Sequence, residues 1–239
     1  MTYGQRCPLL AVPEGARPGG GRGSRLLLIL ALALAVTGCA PRVEPRTVLG
    51  SGPRVLFEDE LRVARNWPAA RGTICRASYD DGGFAVENIA PAAPCVLRPV
   101  RPEVFPARVR IEVTARLRKG TREGAYGLVF AGRGGPERHT FATLALTANG
   151  TYRVAAWNGT WSYPVPPTAS RSVRTEYGAP NTVAVELRER SIVAYVNGRP
   201  VATAELGAEA SGTLGLYVDQ RGMEVLFSDL RVSELSPIR

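Results

Sequence analysis

The chain has 239 residues, enough for one well-packed domain without a dense set of cross-links or metals. Its formal charge of +9 comes from 30 basic and 21 acidic residues, and Lys119 is the only Lys among the basic ones. The acids are interspersed and no basic run of five follows the first 38 residues, so no nucleic-acid partner is expected.

Residues 1–25 are rich in Arg, Gly and Pro and have no apolar periodicity. Directly after Arg25 come eleven apolar residues, Leu26 to Val36. A membrane-spanning helix needs about 20, so this run fits the apolar part of an export signal behind a positive n-region. It ends in Val36-Thr37-Gly38-Cys39, which resembles the lipobox of bacterial lipoproteins. The resemblance implies cleavage before Cys39 and a thioether from its thiol to diacylglycerol, with small Thr37 and Gly38 admitting the peptidase. The alternative is an ordinary secretory signal with a chance cysteine. The chain then divides into a signal peptide (1–38), a lipidated Cys39 with a Pro/Arg/Gly-rich tether (39–54) and a folded domain (55–236). That domain is expected outside the cytoplasm, held to the cell membrane by lipid.

Cys7 leaves with the signal and Cys39 takes the lipid. Cys75 and Cys95 remain as an even pair in an oxidising compartment, which predicts a disulfide. A zinc site wants four ligands, and the chain has one histidine, His139, and no CxxC.

From Val55 onward, short strand signals recur with turn residues between them. Val55–Asp59 is the first and Gly83–Ile89 the next. Arg108–Leu117 is the clearest, with apolar odd and polar even positions, as a strand with one buried face requires. Tyr126–Ala131, Phe141–Leu146 and Thr151–Ala156 follow, the last two joined across Asn149-Gly150, a type I′ hairpin signal. Thr182–Leu187 and Ser191–Val196 come next, and Asn197-Gly198 turns the chain into Pro200–Ala204. Gly212–Val218 and Glu224–Val232 complete the series. No sustained helical stripe interrupts it, so the pattern predicts an all-β sandwich or barrel.

The ordered series carries a resemblance over roughly Val55 to Leu235. Its residues are Phe57-Glu58-Asp59 with Trp67, Gly124 to Phe130, Asn149 to Val154, Asn181 to Val185, Ala194-Tyr195-Val196-Asn197-Gly198, Gly212 to Leu216 and Val225 to Val232. Together these resemble the concanavalin A-like lectin/glucanase superfamily, which includes laminin-G-like modules and glycosidase-like bacterial domains. The resemblance implies a two-sheet antiparallel jelly-roll sandwich. It implies no particular function, because function resides in sites grafted onto folds.

Glycanases on this fold use acids at alternate positions of one strand. No such pattern occurs here: Glu58-Asp59-Glu60 is contiguous, so neighbouring side chains point to opposite faces, and Asp80-Asp81 reads as a turn former. His139 has no Gly-x-Ser-x-Gly elbow to serve and reads as a surface histidine at a strand start. No catalytic residue is assigned. The candidates for calcium, Asp80, Asp81, Asp219 and Asp229, show no acidic loop rhythm, so no metal or cofactor is expected. Carbohydrate binding needs only flat rings and hydrogen-bonding groups. Trp157-Asn158-Gly159-Thr160-Trp161-Ser162-Tyr163 puts three aromatic residues within seven, at a loop or hairpin. Trp157, Trp161 and Tyr163 would share one face if extended, with Arg153, Arg133 and His139 on the same sheet; the competing reading is that the rings cap the core. The leading expectation is a non-catalytic binding module for a glycan or an envelope protein. A glycoside-processing enzyme and a structural or interaction lipoprotein are the alternatives.

Overall fold

The computed structural model describes residues 53–80, 82–101, 103–134, 139–207 and 209–235. The segment read as an export signal, Cys39, most of the segment read as a tether, and Asp81 lie outside them. The described residues include no helix, and their fifteen strands form two antiparallel sheets. The larger sheet runs through β13 (Arg199–Glu205), β12 (Ser191–Val196), β11 (Asn181–Arg188), β6 (Val109–Lys119), β15 (Glu224–Glu234), β4 (Gly83–Asn88), β3 (Cys75–Asp80) and β2 (Ala70–Arg71). β1 (Val55–Asp59) also pairs with β15. The smaller sheet runs through β10 (Trp161–Ala169), β9 (Thr151–Trp157), β8 (His139–Thr147), β7 (Ala125–Gly134), β14 (Thr213–Val218) and β5 (Cys95–Leu97).

The two sheets bury their alternating apolar faces against each other. On β6, Val109, Ile111, Val113, Ala115 and Leu117 point inward while Arg110, Glu112, Thr114 and Arg116 point out. The smaller sheet answers with its even positions, among them Leu128, Phe130, Leu144, Leu146, Val154 and Leu216. Trp67 and Phe84 close one end, with ring centroids 6.1 Å apart. This is the two-sheet sandwich that the strand pattern and the resemblance predict.

The outer face of the larger sheet is charged and balanced. Glu87 takes Arg76 at 2.7 Å and Lys119 at 3.1 Å, Lys119 also reaches Glu224 at 3.3 Å, and Arg110 meets Glu112 and Glu186. Exposed pairs of this kind contribute little to stability. They do make that face a solvated one.

Cys75 and Cys95 are disulfide-bonded, and the bond ties β3 of the larger sheet to β5 of the smaller. Four strands went unpredicted: β2, β3, β5 and β10. Two are very short, and β3 (CRASYD) has Tyr79 as its one strong strand former. β10 carries Pro164, Pro166 and Pro167, which argue against a strand except at an edge, and an edge is where it lies. The Asn197-Gly198 turn has φ of 51° and 76°, as a type I′ hairpin requires. Asn149-Gly150 differs. Only Gly150 has positive φ (91°), and its N–H donates to the Thr147 carbonyl at 3.1 Å. The connection is therefore a three-residue loop ending in a left-handed glycine. The Thr147 hydroxyl, which accepts the Thr151 N–H at 3.2 Å, closes it.

Candidate functional site

The outer face of the smaller sheet is built differently from its charged counterpart. Apart from Arg153, the outward residues at its centre are small, aliphatic or aromatic, and cross-strand register places them in three rows. The first row is Phe141, Trp157 and Trp161. The second is Gly215, Val129, Thr143 and Ala155. The third is Val96, Tyr217, Gly127, Ala145 and Arg153. Gly215 is required by packing, since a Cβ there would lie 2.6 Å from the Leu97 carbonyl oxygen of the neighbouring strand.

Trp161 reaches across these rows. Its ring lies 5.2 Å from Trp157, 5.7 Å from Phe141 and 6.3 Å from Tyr217, centroid to centroid. Trp161 and Tyr217 stand on β10 and β14, four strand steps apart, which is about 19 Å on a flat sheet. No reach of the two side chains spans that gap, so the sheet curls and this face is concave. The middle row lies under the indole. Val129 and Thr143 of that row and Ala145 of the third are fully buried although they point away from the core between the sheets, and Phe141 and Tyr217 are nearly so.

The polar groups on this face are few and specific. Arg153 Nη2 pairs with the Asp219 carboxylate at 2.9 Å, and the Tyr217 hydroxyl donates to the other Asp219 oxygen at 3.2 Å. Thr143 Oγ1 and Arg153 Nε are buried and have no hydrogen-bond partner. Buried polar groups are nearly always paired, so each such orphan asks for an explanation. Two on one curled face mark it out.

Burial, and after it the Asp219 carboxylate, pushes the Tyr217 phenol well above the ordinary tyrosine range. An unfolded tyrosine ionises near pH 10. The unfolded chain therefore releases this proton first, and the stability that Tyr217 contributes is intact below that pH and lost as pH rises above it. Urea unfolding between pH 9 and pH 11.5 is expected to show a falling stability that Tyr217→Phe makes shallower by up to about 1.4 kcal/mol per pH unit. Tyr126, also raised by burial, supplies part of the slope that remains. An identical slope in the variant would show that Tyr217 is not held neutral by the fold.

Of the residues predicted as ligand contacts, Trp157, Trp161 and Arg153 meet on this face, and His139 stacks on Phe141 at 5.7 Å. Trp157 and Trp161 are cross-strand partners flanking the Asn158-Gly159-Thr160 turn. Tyr163 is about half exposed beyond a register shift in β10, and no ring contact joins it to the cluster. Arg133 lies at the strand tips, where it bonds Glu209 and Ser211. Phe141, Thr143, Tyr217 and Asp219 were not predicted as ligand contacts. The signal for them was present: the outward positions of β8 and β14 hold no Arg or Glu, unlike those of β6, and a strand apolar on both faces is a covered one.

The acids weighed for catalysis have other partners. Asp59 accepts the Leu61 N–H and the Asn66 amide, both at 2.8 Å, and so holds Leu61 at a φ of 60°. Asp80 pairs with Arg118, and Asp229 accepts from the Ser228 hydroxyl at 2.8 Å. Among the described residues no three His, Cys, Asp or Glu side chains converge as metal ligands. A hollow of about 700 Å³ at Glu58, Glu60, Arg62, Glu112 and Arg231 has walls charged in both signs.

No family model and no curated protein matches the sequence. Solved structures do match the fold. A Bacillus subtilis protein of unknown function with a galectin-like fold aligns at TM-score 0.60 and 15% identity, over 76% of this chain and 96% of its own. The carbohydrate-binding module CBM66 from Bacillus subtilis aligns at 0.56 and 13%, over 71% and 98%. A Bacillus licheniformis β-glucanase aligns at 0.52 and 12%, over 77% and 99%. At these identities the likeness is one of fold: a galectin-like, concanavalin A-like sandwich.

Proposed function

We propose that this chain is a lipid-anchored binding module of a bacterial cell envelope that takes a glycan on the concave aromatic face of its smaller sheet. The observation that carries the reading is Thr143 Oγ1, buried and unpartnered beneath aromatic rings on a face turned away from the core. Leaving such a group unpaired costs a fold about 1–3 kcal/mol. A sugar hydroxyl would satisfy it, Arg153 Nε would donate to a second one, and the rings would cover the sugar's C–H face. Glycoside hydrolysis uses a pair of carboxyl groups flanking the bond. The carboxylate here, Asp219, is engaged by Arg153 and Tyr217, which supports binding over catalysis. Two of the solved structures that share the fold, CBM66 and the β-glucanase, are named for carbohydrates.

Thr143→Val tests the carrying observation, because it keeps the shape and removes the orphan hydroxyl. The variant is expected to gain about 1 kcal/mol in urea unfolding and to bind more weakly on an array of neutral and acidic oligosaccharides. Destabilisation by Val would show that the hydroxyl has a structural partner, and the reading would lose its basis. The envelope address rests on Val36-Thr37-Gly38-Cys39. Mass spectrometry of the membrane fraction is expected to find an acylated Cys39 as the N-terminal residue; an unmodified Cys39 behind an intact leader in the cytosol would refute it.

A further inference from the structure

Trp161 stands among the rings of Phe141, Trp157 and Tyr217. We infer that Trp161 is a displaceable cover: its indole fills the aromatic slot of the concave face, and a neutral pyranose ring enters by replacing it. This rests on the glycan reading for the identity of the guest.

Three observations carry the inference. Phe141, Trp157 and Tyr217 wall the slot, and the Trp161 ring meets them at interplanar angles of 84°, 57° and 77°. It enters edge-on between them and does not lie flat and open as a stacking platform. The ring bridges from Phe141 to Tyr217, and the register puts Thr143, whose Oγ1 is buried without a partner, in the row between those two; Arg153, whose Nε is buried without one, stands in the row of Tyr217. Finally, Trp161 is carried on an element suited to movement. It begins an edge strand after an exposed Asn158-Gly159-Thr160 turn, and β10 behind it has two register shifts and three prolines.

The guest's class follows from the lining. Aromatic walls suit a ring with flat C–H faces, and the two orphans suit hydroxyls. Arg153 is already neutralised by Asp219, so the slot has no net charge to recruit an anionic sugar. A site held shut binds with its intrinsic affinity reduced by the fraction of molecules that are open. Removing the cover therefore raises affinity, whereas removing a platform lowers it. The two roles predict opposite signs.

The test compares the full chain with its Trp161→Ala variant, using immobilised neutral oligosaccharides (cellobiose, lactose, maltose, chitobiose and their longer homologues) and hydroxyl-radical footprinting read by mass spectrometry. Trp161→Ala is expected to bind at least about tenfold tighter. In the unsubstituted chain, a bound sugar is expected to raise oxidation of Trp161 while protecting Trp157 and Tyr217. Weaker binding by the variant, with Trp161 protected by sugar, overturns the cover and leaves the glycan reading standing. If neither protein binds any of these sugars, the glycan reading is the one lost. The cover is then decided by Tyr217 in Trp161→Ala: oxidation several-fold higher supports it, and unchanged oxidation overturns it.

Discussion

Asn88→Ala is expected to lose about 3–4 kcal/mol of unfolding free energy and to weaken ligand binding with it. Asn88 sits on β4 with no exposed surface. Its side-chain amide donates to the carbonyls of Ala93, Val218 and Asp219 at 2.9, 3.1 and 2.7 Å, and its oxygen accepts the Ala90 N–H at 2.9 Å. One side chain thus fixes the 89–94 connection and the end of β14, the strand that positions Tyr217 and Asp219. Alanine leaves buried carbonyls and a buried N–H short of partners, each at a cost of about 1–3 kcal/mol where water cannot reach. For a domain of this size the loss is about 10 °C in Tm. Asn88→Asp is expected to be worse still, because it turns an acceptor toward three acceptors. Calorimetry of the two variants checks the order; a loss under 1 kcal/mol in Asn88→Ala would mean that water substitutes for the amide.

Cys75→Ala/Cys95→Ala is the second large effect, with about 3 kcal/mol expected from closure of a loop whose ends are 20 residues apart. The consequence reaches the site. β5 has three residues and pairs only with β14, and its Val96 packs against the aromatic cluster. Released from the larger sheet, so short an edge strand has little to hold it, and β14 beside it gains an open edge. Urea unfolding with and without reductant should give the same loss as the double variant. Equal midpoints in the two conditions would show that β5 is held by its packing alone.

Much of the fold was legible because alternation is a local property. In β6, Val109, Ile111, Val113, Ala115 and Leu117 alternate with polar residues, and that pattern states which face is buried whatever lies opposite. The hairpin at Asn197-Gly198 was legible for the same reason, since positive φ at both turn residues selects the residue types. Asn149-Gly150 offers the same dipeptide and makes a different turn, because the Thr147 and Thr151 side chains close the loop around it. The site was half legible. Trp157 and Trp161 announce themselves by density, but a sequence window cannot tell a platform from a cover, nor bring Tyr217 some sixty residues along the chain to meet Arg153.

The residue order by itself determined an all-β chain and its principal strands with their buried faces. These depend on neighbours in sequence: side-chain period and turn chemistry. Only the tertiary structure decided that the smaller sheet curls, that Thr143 Oγ1 and Arg153 Nε are buried without partners, and that the Trp161 indole bridges from Phe141 to Tyr217. Those facts depend on strand order and curvature, which bring residues from three other strands within reach of one ring, and no local pattern encodes that meeting.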